Sequence, residues 1–171
     1  MYVSHRGRID TQLAIAFLST RVSCSTDQDW GKLKRVLQFL NQTIDDTMVI
    51  GADSLTMLKT WVDALYGVHP DMKSHTGGVI SLGRGVIMSK SSKQKLNTKS
   101  STEAELVGAS DYLPNTIWAK MFLGAQGYEI SENTLYQDNQ SAMKLEKNGR
   151  ASCGQKSRHI DIRYFLCEIE L

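Results

Sequence analysis

Apolar residues in the first 45 positions recur with the 3.6-residue spacing of amphipathic helices. The spacing predicts one helix over residues 9–21 and another over residues 27–41, with the polar cluster 23–27 between them. The apolar stripe of the second helix consists of Trp30, Leu33, Val36, Leu37 and Leu40. We therefore expect Trp30 in the core. The two helices are predicted to form a hairpin that belongs to a neighbouring domain.

After residue 47 the apolar period changes to two, which indicates β-strands. The predicted strands cover residues 48–50, 55–64, 75–82 and 86–91, with turns at 51–53 and 83–85. In the second of these strands, Leu58 and Val62 share one face, while Trp61 and Asp63 share the other. The three longer strands have short connections, so they are expected to form an antiparallel meander.

A helical pattern follows a basic loop at residues 92–100 and begins near Ser101. Pro114 is expected to interrupt this helix after residue 112, because proline lacks the amide hydrogen that the helix interior needs. The helical pattern then resumes as far as Gln126. The residues expected to face inward from this second part are Ile117, Trp118, Met121 and Phe122.

The last part of the chain is predicted to contain one more strand and two more helices. The strand covers residues 132–137 and follows a helix, so it is expected to run parallel to strand 55–64. The helices cover residues 141–147 and 160–171, on either side of a polar, basic loop. This order predicts an α/β fold with a mixed sheet, three antiparallel strands followed by a parallel strand, and flanking helices.

Composition favours a packed domain, with 171 residues, 41% hydrophobic residues and only 2 prolines. The net charge of +2 is small, yet residues 84–102 contain five basic residues and no acid. Residues 144–158 contain five more against one glutamate. These segments suit a polyanion-binding face, or else they are ordinary solvated loops. The three cysteines lack metal-site spacing, and neither a signal peptide nor a membrane partner is expected.

Three acids stand where the predicted elements meet: Asp63 at a strand end, Glu105 in a helix start and Asp138 after the parallel strand. Adjacent strand ends and a crossover helix can bring such carboxylates together. Their mutual repulsion calls for a hard cation such as Mg²⁺ or Mn²⁺. Two such ions about 4 Å apart form a clamp for phosphodiester hydrolysis. The other interpretation of residues 99–106 is a well-capped helix start, with Ser100 or Ser101 as the cap.

Five motifs carry a family resemblance: Trp61–Ala64, Ser74–Gly78, Ser100–Leu106, Gln137–Ala142 and Arg158–Tyr164. In this order they resemble the ribonuclease H domain of copia-type retrotransposon polyproteins, and the likeness spans about residues 53–171. Residues 1–50 are similar to the segment that joins reverse transcriptase to that domain. The resemblance implies a helical tail at 1–50, followed by a ribonuclease H-like domain at 51–171.

The resemblance also implies an activity, namely hydrolysis of the RNA strand of RNA–DNA hybrids by two-metal catalysis with Mg²⁺ or Mn²⁺. Asp63, Glu105 and Asp138 match the metal-binding and catalytic acids, and Glu105 fits the pattern better than Glu103. Substrate contacts are expected from Lys93, Lys99, Asn139, Lys156, Arg158 and His159. Selectivity for RNA is expected from contacts to 2′-hydroxyl groups, with Gly77, Gly78 and Asn139 as candidates. The implied partner besides the hybrid is the rest of the polyprotein, in a cytoplasmic retroelement particle or in the nucleus.

The sequence also departs from the family pattern. The polymerase signature Tyr-x-Asp-Asp is absent, so no DNA synthesis is expected. In the family, a fifth strand and a further helix complete the domain and supply a fourth carboxylate, whereas this chain ends at Leu171. Asp161 is either a substitute for that carboxylate or a helix cap. The alternatives are a catalytically inactive, truncated remnant that binds nucleic acid at most, and an interaction module whose melting temperature does not respond to Mg²⁺.

Overall fold

A four-stranded mixed sheet lies at the centre of the computed structural model, which describes residues 2–148. The helices are α1 (Tyr2–Arg6), α2 (Gln12–Ser19), α3 (Asp27–Gln42), α4 (Ser101–Ala125) and α5 (Gln140–Asn148). The strands are β1 (Gly51–Ala52), β2 (Met57–Leu65), β3 (His75–Ser81), β4 (Gly83–Arg84), β5 (Val86–Lys93) and β6 (Glu132–Tyr136). Short 3₁₀ turns at Ile9–Thr11 and Val22–Cys24 flank α2, so the helix predicted over 9–21 is shorter than expected.

The sheet has the strand order β5–β3–β2–β6. β3 pairs antiparallel with both β2 and β5, whereas β6 pairs parallel to β2. The parallel pairing requires a crossover, and α4 provides it. The predicted fold class, a mixed sheet with flanking helices, is therefore confirmed.

The core lies between the sheet and α4, on the face of β2 that carries Leu58 and Val62. Leu58, Thr60 and Val62 are buried on the face toward the helix. The cluster consists of Leu58, Val62, Ile80, Tyr112, Ala119 and Ile130. Thr60 and Thr116 hydrogen-bond to each other through their hydroxyl groups at 3.2 Å, which satisfies two polar groups that the contact buries.

Gly78 of β3 allows α4 to approach the sheet closely. A Cβ atom at this position would lie 2.7 Å from Cγ of the buried Tyr112 ring and closer still to Cδ2 and Cε2. The neighbouring Gly77 points to the other face, where a Cβ atom would meet nothing within 4 Å. One glycine is therefore needed for packing, and the other leaves open space on the opposite face.

Pro114 does not interrupt α4, which is continuous from Ser101 to Ala125. The proline is exposed. Because proline has no amide hydrogen, it leaves the carbonyl group of Ser110, four residues earlier, without its helical partner, and Ser110 is half-buried. Tyr112 and Leu113 before the proline and Thr116 after it are buried. We infer that packing on both sides of Pro114 outweighs the loss of one hydrogen bond.

The predicted inward face of the second half of α4 is also wrong for most of its residues. Trp118, Met121 and Phe122 are 54%, 69% and 48% exposed, and Ile117 is half-buried. The buried stripe instead contains Thr116 and Ala119. The helix approaches the sheet closely, and small side chains fit that contact, whereas large aromatic ones do not.

Residues 48–50, all within the described chain, form no strand. Gly51 and Ala52, which were expected to turn, instead pair with Gly83 and Arg84 as the two-stranded ladder β1–β4. Arg84 and Asp53 add an ion pair at 2.9 Å. Val49 and Ile50 are exposed, because this segment lies outside the sheet that covers the core.

The N-terminal helices pack against the sheet. Gln12 of α2 donates to the carbonyl group of Ser89 in β5, at 3.3 Å, and the Phe17 ring stacks on His69. Trp30 of α3 is 66% exposed, so the prediction of a core position is wrong; Val36 supplies the buried contact of that helix. Among residues 2–148, no helix is both long and apolar enough to cross a membrane.

Candidate metal centre

The parallel pairing of β2 and β6 brings Asp63 and Asp138 to the same edge of the sheet. Trp61 lies opposite Tyr136 in the ladder, and each aspartate follows its aromatic residue by two positions. Since side chains on one face recur every second residue, the two carboxylates point to the same side. Both aspartates are exposed. Asp63 precedes the end of β2 at Leu65, so the strand ends one residue later than predicted.

Glu105 comes from the first turns of α4, whose start is fixed by hydrogen bonds of its own. The Ser100 hydroxyl group accepts from the amide of Glu103 at 3.1 Å, which identifies Ser100 as the cap. The Glu103 carboxylate accepts from the amide of Lys99 at 2.7 Å. Glu103 therefore serves the helix start, and Glu105 is the acid that points toward the sheet.

Two donors orient the buried Glu105 carboxylate. The amide of Ala64 donates to Oε1 at 3.3 Å, and Nε2 of Gln137 donates to Oε2 at 3.3 Å. The Ala64 amide is available because the ladder with β6 ends at Trp61, while β2 continues beyond it. Burial is the main cause that raises the pKa of Glu105, and the charges of Asp63 and Asp138 raise it further; the two hydrogen bonds oppose this shift.

Each of the three acids offers an oxygen atom, and the three atoms lie within 4.8 Å of one another. Three carboxylate oxygens match the preference of hard divalent cations such as Mg²⁺ and Mn²⁺. A cation would also relieve the repulsion that raises the pKa of Glu105. The donor set of Asp63, Glu105 and Asp138 therefore fits a divalent metal ion.

The two aspartates open into a cleft of about 620 Å³ between the sheet and the N-terminal helical segment. Ile9 and Leu13 form part of one wall, and Trp61 and Tyr136 form part of the other. These two rings stack with centroids 5.1 Å apart and an angle of 15° between their planes. The cleft therefore combines carboxylates with an exposed aromatic surface.

The predicted substrate-binding residues occupy different environments. Lys93 forms an ion pair with Asp71 at 2.7 Å, and this contact holds the pKa of the Asp71 carboxyl below its usual value. Lys99 is exposed. Asn139 directly precedes α5 and caps its start, since its side-chain oxygen accepts from the amides of Ser141 and Ala142. Lys156, Arg158 and His159 lie outside the described residues, as do Asp161 and the predicted helix 160–171.

Sequence reasoning assigned no role at the site to three residues of this region: Gln137, Trp61 and Tyr136. The alternation along β2 had placed Trp61 on the face of Asp63, and the same alternation could have placed Tyr136 on the face of Asp138. Gln137 carried no comparable signal, because its hydrogen bond to Glu105 depends on how α4 crosses the sheet.

Comparison with known proteins shows similarity to segments of retrotransposon polyproteins. The chain is 32% identical over 165 residues to the retrovirus-related Pol polyprotein from transposon TNT 1-94 of Nicotiana tabacum, covering 96% of this chain and 12% of that protein. It is 32% identical to the corresponding polyprotein from transposon RE2 of Arabidopsis thaliana, covering 95% of this chain and 11% of that protein. The Ty1-NL2 Gag-Pol polyprotein of Saccharomyces cerevisiae is 30% identical over 117 residues, which cover 66% of this chain and 7% of that protein.

The chain thus spans about an eighth or less of the polyproteins it matches. No family model matches the chain. No solved structure matches it either.

Proposed function

We propose that this chain is the nuclease segment of a retroelement polyprotein and hydrolyses the RNA strand of RNA–DNA hybrids with Mg²⁺ or Mn²⁺. The observation that carries the proposal is the convergence of Asp63, Glu105 and Asp138, whose ligand atoms lie within 4.8 Å of one another. The similarity to retrotransposon Pol polyproteins supports a retroelement context. The ribonuclease H resemblance of the surrounding motifs supports the choice of reaction.

In this proposal, the three acids hold the metal, and their neighbours keep them in place. The Ala64 amide and the Gln137 side chain fix the orientation of Glu105, so that the buried ligand does not have to be ordered when metal binds. Asp63 and Asp138 are exposed at the cleft, where a phosphate group can approach them. A bound divalent ion supplies Lewis-acid polarisation of the phosphate group and lowers the pKa of a coordinated water molecule.

The remaining expectations belong to the same proposal. Lys93, Lys99, Asn139, Lys156, Arg158 and His159 are proposed to contact the hybrid. Residues 1–50 are proposed to join the domain at 51–171 to the rest of the polyprotein. The proposed location is a cytoplasmic retroelement particle or the nucleus.

The proposal is tested by cleavage of an RNA–DNA hybrid labelled on its RNA strand, using the full 171-residue chain with Mg²⁺ or with EDTA. We expect cleavage with Mg²⁺ alone, and the rate should fall at least about 100-fold in Asp138→Asn, which removes a metal ligand. Asp111→Asn is the matched control, because it makes the same change at an exposed position on α4 and should leave the rate unchanged.

Duplex DNA and duplex RNA of the same sequence serve as further controls and should be cut poorly. Equal cleavage by the wild type and Asp138→Asn would show that the site is assigned incorrectly. Binding of the hybrid without any Mg²⁺-dependent cleavage would instead favour the inactive alternative.

A further inference from the structure

Two exposed aromatic stacks of almost the same geometry occur in the described part of the chain. Trp61 and Tyr136 stack at 5.1 Å with an angle of 15°, and Trp118 and Phe122 stack at 5.1 Å with an angle of 13°. The first stack lies on the sheet face of the two aspartates, whereas the second lies on α4. Their surroundings differ, and this difference indicates a function for the first pair.

We propose that Trp61 and Tyr136 form the surface on which an unpaired nucleobase at a strand end of the hybrid stacks while its backbone reaches the carboxylate cluster. This inference rests on the proposed function and adds substrate-positioning residues to it. Aromatic side chains bind the unpaired bases of single strands through their faces, with little sequence preference. Trp61 and Tyr136 are each 40% exposed, so part of their ring surface is available to a ligand.

The position of the pair next to the metal-binding acids is the first supporting observation. Trp61 and Asp63 are successive residues on one face of β2. Tyr136 pairs with Trp61 in the parallel ladder, and Asp138 follows Tyr136 by two positions, as Asp63 follows Trp61. All four residues line the same cleft. A nucleotide whose phosphate group lies at the acids would therefore have its base within reach of the rings.

The charges and open space around the pair are the second observation. Lys59 lies on the same face of β2, two residues before Trp61, and none of the ion pairs among residues 2–144, whose side chains the structure describes, involves it. It offers a cation for a further phosphate group on the other side of the rings from Asp63. A Cβ atom at Gly77, which lies opposite Asp63 in the ladder, would meet nothing within 4 Å. The surface beside the acids is thus not filled by a neighbouring side chain.

The shape of the cleft agrees with this occupant. Its volume of about 620 Å³ lies in the range of pockets that hold small molecules or single nucleotides. Leu13 of the N-terminal segment lines the same cleft as the rings, so the cleft offers a base both apolar and aromatic surfaces. Asp10 also lines the cleft. Arg8 forms an ion pair with it at 2.7 Å, which offsets the repulsion between the Asp10 carboxylate and a phosphate group.

Substitution of one tryptophan from each stack tests the inference. Binding of a labelled RNA–DNA hybrid whose RNA strand ends in a single-stranded overhang is measured by anisotropy in EDTA, and cleavage is measured with Mg²⁺. Trp61→Ala is expected to weaken binding roughly 5- to 100-fold, because one base loses its stacking partner. Trp61→Phe should recover most of the affinity, and Trp118→Ala should stay within about twofold of the wild type.

A fluorescence measurement keeps the test valid if Trp61→Ala folds poorly. The chain has 3 tryptophans, and Trp30 and Trp118 are more than half exposed, so phenylalanine should be tolerated at either position. A variant that retains only Trp61 should lose fluorescence when the hybrid is added, whereas a variant that retains only Trp118 should not.

Failure of this inference can be distinguished from failure of the proposed function. If the wild type cleaves the hybrid, Asp138→Asn does not, and Trp61→Ala binds as tightly as the wild type, only the stacking surface is refuted. Equal weakening by Trp61→Ala and Trp118→Ala would refute it as well. If the wild type neither binds nor cleaves the hybrid, the proposed function and the stacking surface both fail.

Discussion

Substitution of Gly78 by alanine tests how closely α4 must approach the sheet. The added Cβ atom would lie 2.7 Å from Cγ of Tyr112, whereas carbon atoms in contact usually lie about 3.5–4.0 Å apart, so the ring must move by roughly 1 Å. Tyr112 is 1% exposed and has no space to move into without displacing its neighbours. Overpacking of this kind costs about 1–3 kcal/mol of unfolding free energy.

Gly77→Ala is the matched control, because it adds the same methyl group one residue earlier on the opposite face. Nothing lies within 4 Å of that Cβ atom, and the backbone there does not require a positive φ. The control should therefore be neutral, or more stable by about 0.4–1 kcal/mol through the lower entropy of its unfolded chain. In a chain of this size, each kcal/mol of lost unfolding free energy lowers the melting temperature by about 2–4 °C. The melting temperature of Gly78→Ala should therefore be about 2–12 °C lower than that of the wild type.

Urea unfolding of both variants, in the wild-type background and with Tyr112→Leu, measures the effect. Removal of the ring should relieve part of the cost, with a coupling energy of about 0.5–3 kcal/mol. Glu105 lies about two helical turns before Tyr112, so displacement of α4 should also reduce the stabilisation that Mg²⁺ gives to Gly78→Ala. The reasoning is refuted if Gly78→Ala costs as little as Gly77→Ala, or costs the same with and without the ring.

Three further predictions follow from burial and charge. Burial raises the pKa of Glu105 because it penalises the ionised carboxylate. Without metal, and at a pH above the folded pKa of Glu105, the Glu105→Gln variant should therefore have a higher melting temperature than the wild type. This difference in melting temperature should vanish as the pH falls through the folded pKa to below the usual value of 4.5. Mg²⁺ should no longer stabilise the variant. Identical profiles of melting temperature against pH for the variant and the wild type would contradict the prediction. Burial lowers the pKa of His69 below 6.5, so the unfolding free energy of the wild type should fall as the pH decreases from about 6.5 to the folded pKa. The decrease should be smaller in His69→Phe, a variant that keeps a ring against Phe17. Trp30→Ala should change the unfolding free energy by no more than about 0.5 kcal/mol, because Trp30 is 66% exposed; a loss above 2 kcal/mol would show that this residue is buried in solution.

Local periodicity predicted most of the central sheet. The two-residue alternation of β2 predicted Leu58 and Val62 on one face and Asp63 on the other, and the structure buries the first face and exposes Asp63. The strand after a helix was predicted to be parallel, and β6 is parallel to β2. These features depend on the chain geometry of a strand and on the handedness of crossovers, so a single sequence is sufficient to predict them.

The helices show the limit of such reasoning. A stripe of apolar residues indicates that one face can be buried, but it does not say whether another element covers that face. Trp30 and Trp118 satisfy the helical spacing and are nevertheless exposed, while Pro114 lies inside a continuous helix. Each outcome depends on packing partners that come from distant parts of the chain.

The candidate metal centre shows the same division. The sequence by itself determined which acids end or begin the elements, and that Ser100 or Ser101 starts α4, because these are properties of neighbouring residues. Only the tertiary structure decided that Glu105 accepts from Ala64 and Gln137, and that the rings of Trp61 and Tyr136 stack on each other. These contacts join residues from β2, α4 and the end of β6, and their distances depend on how closely the helix packs on the sheet.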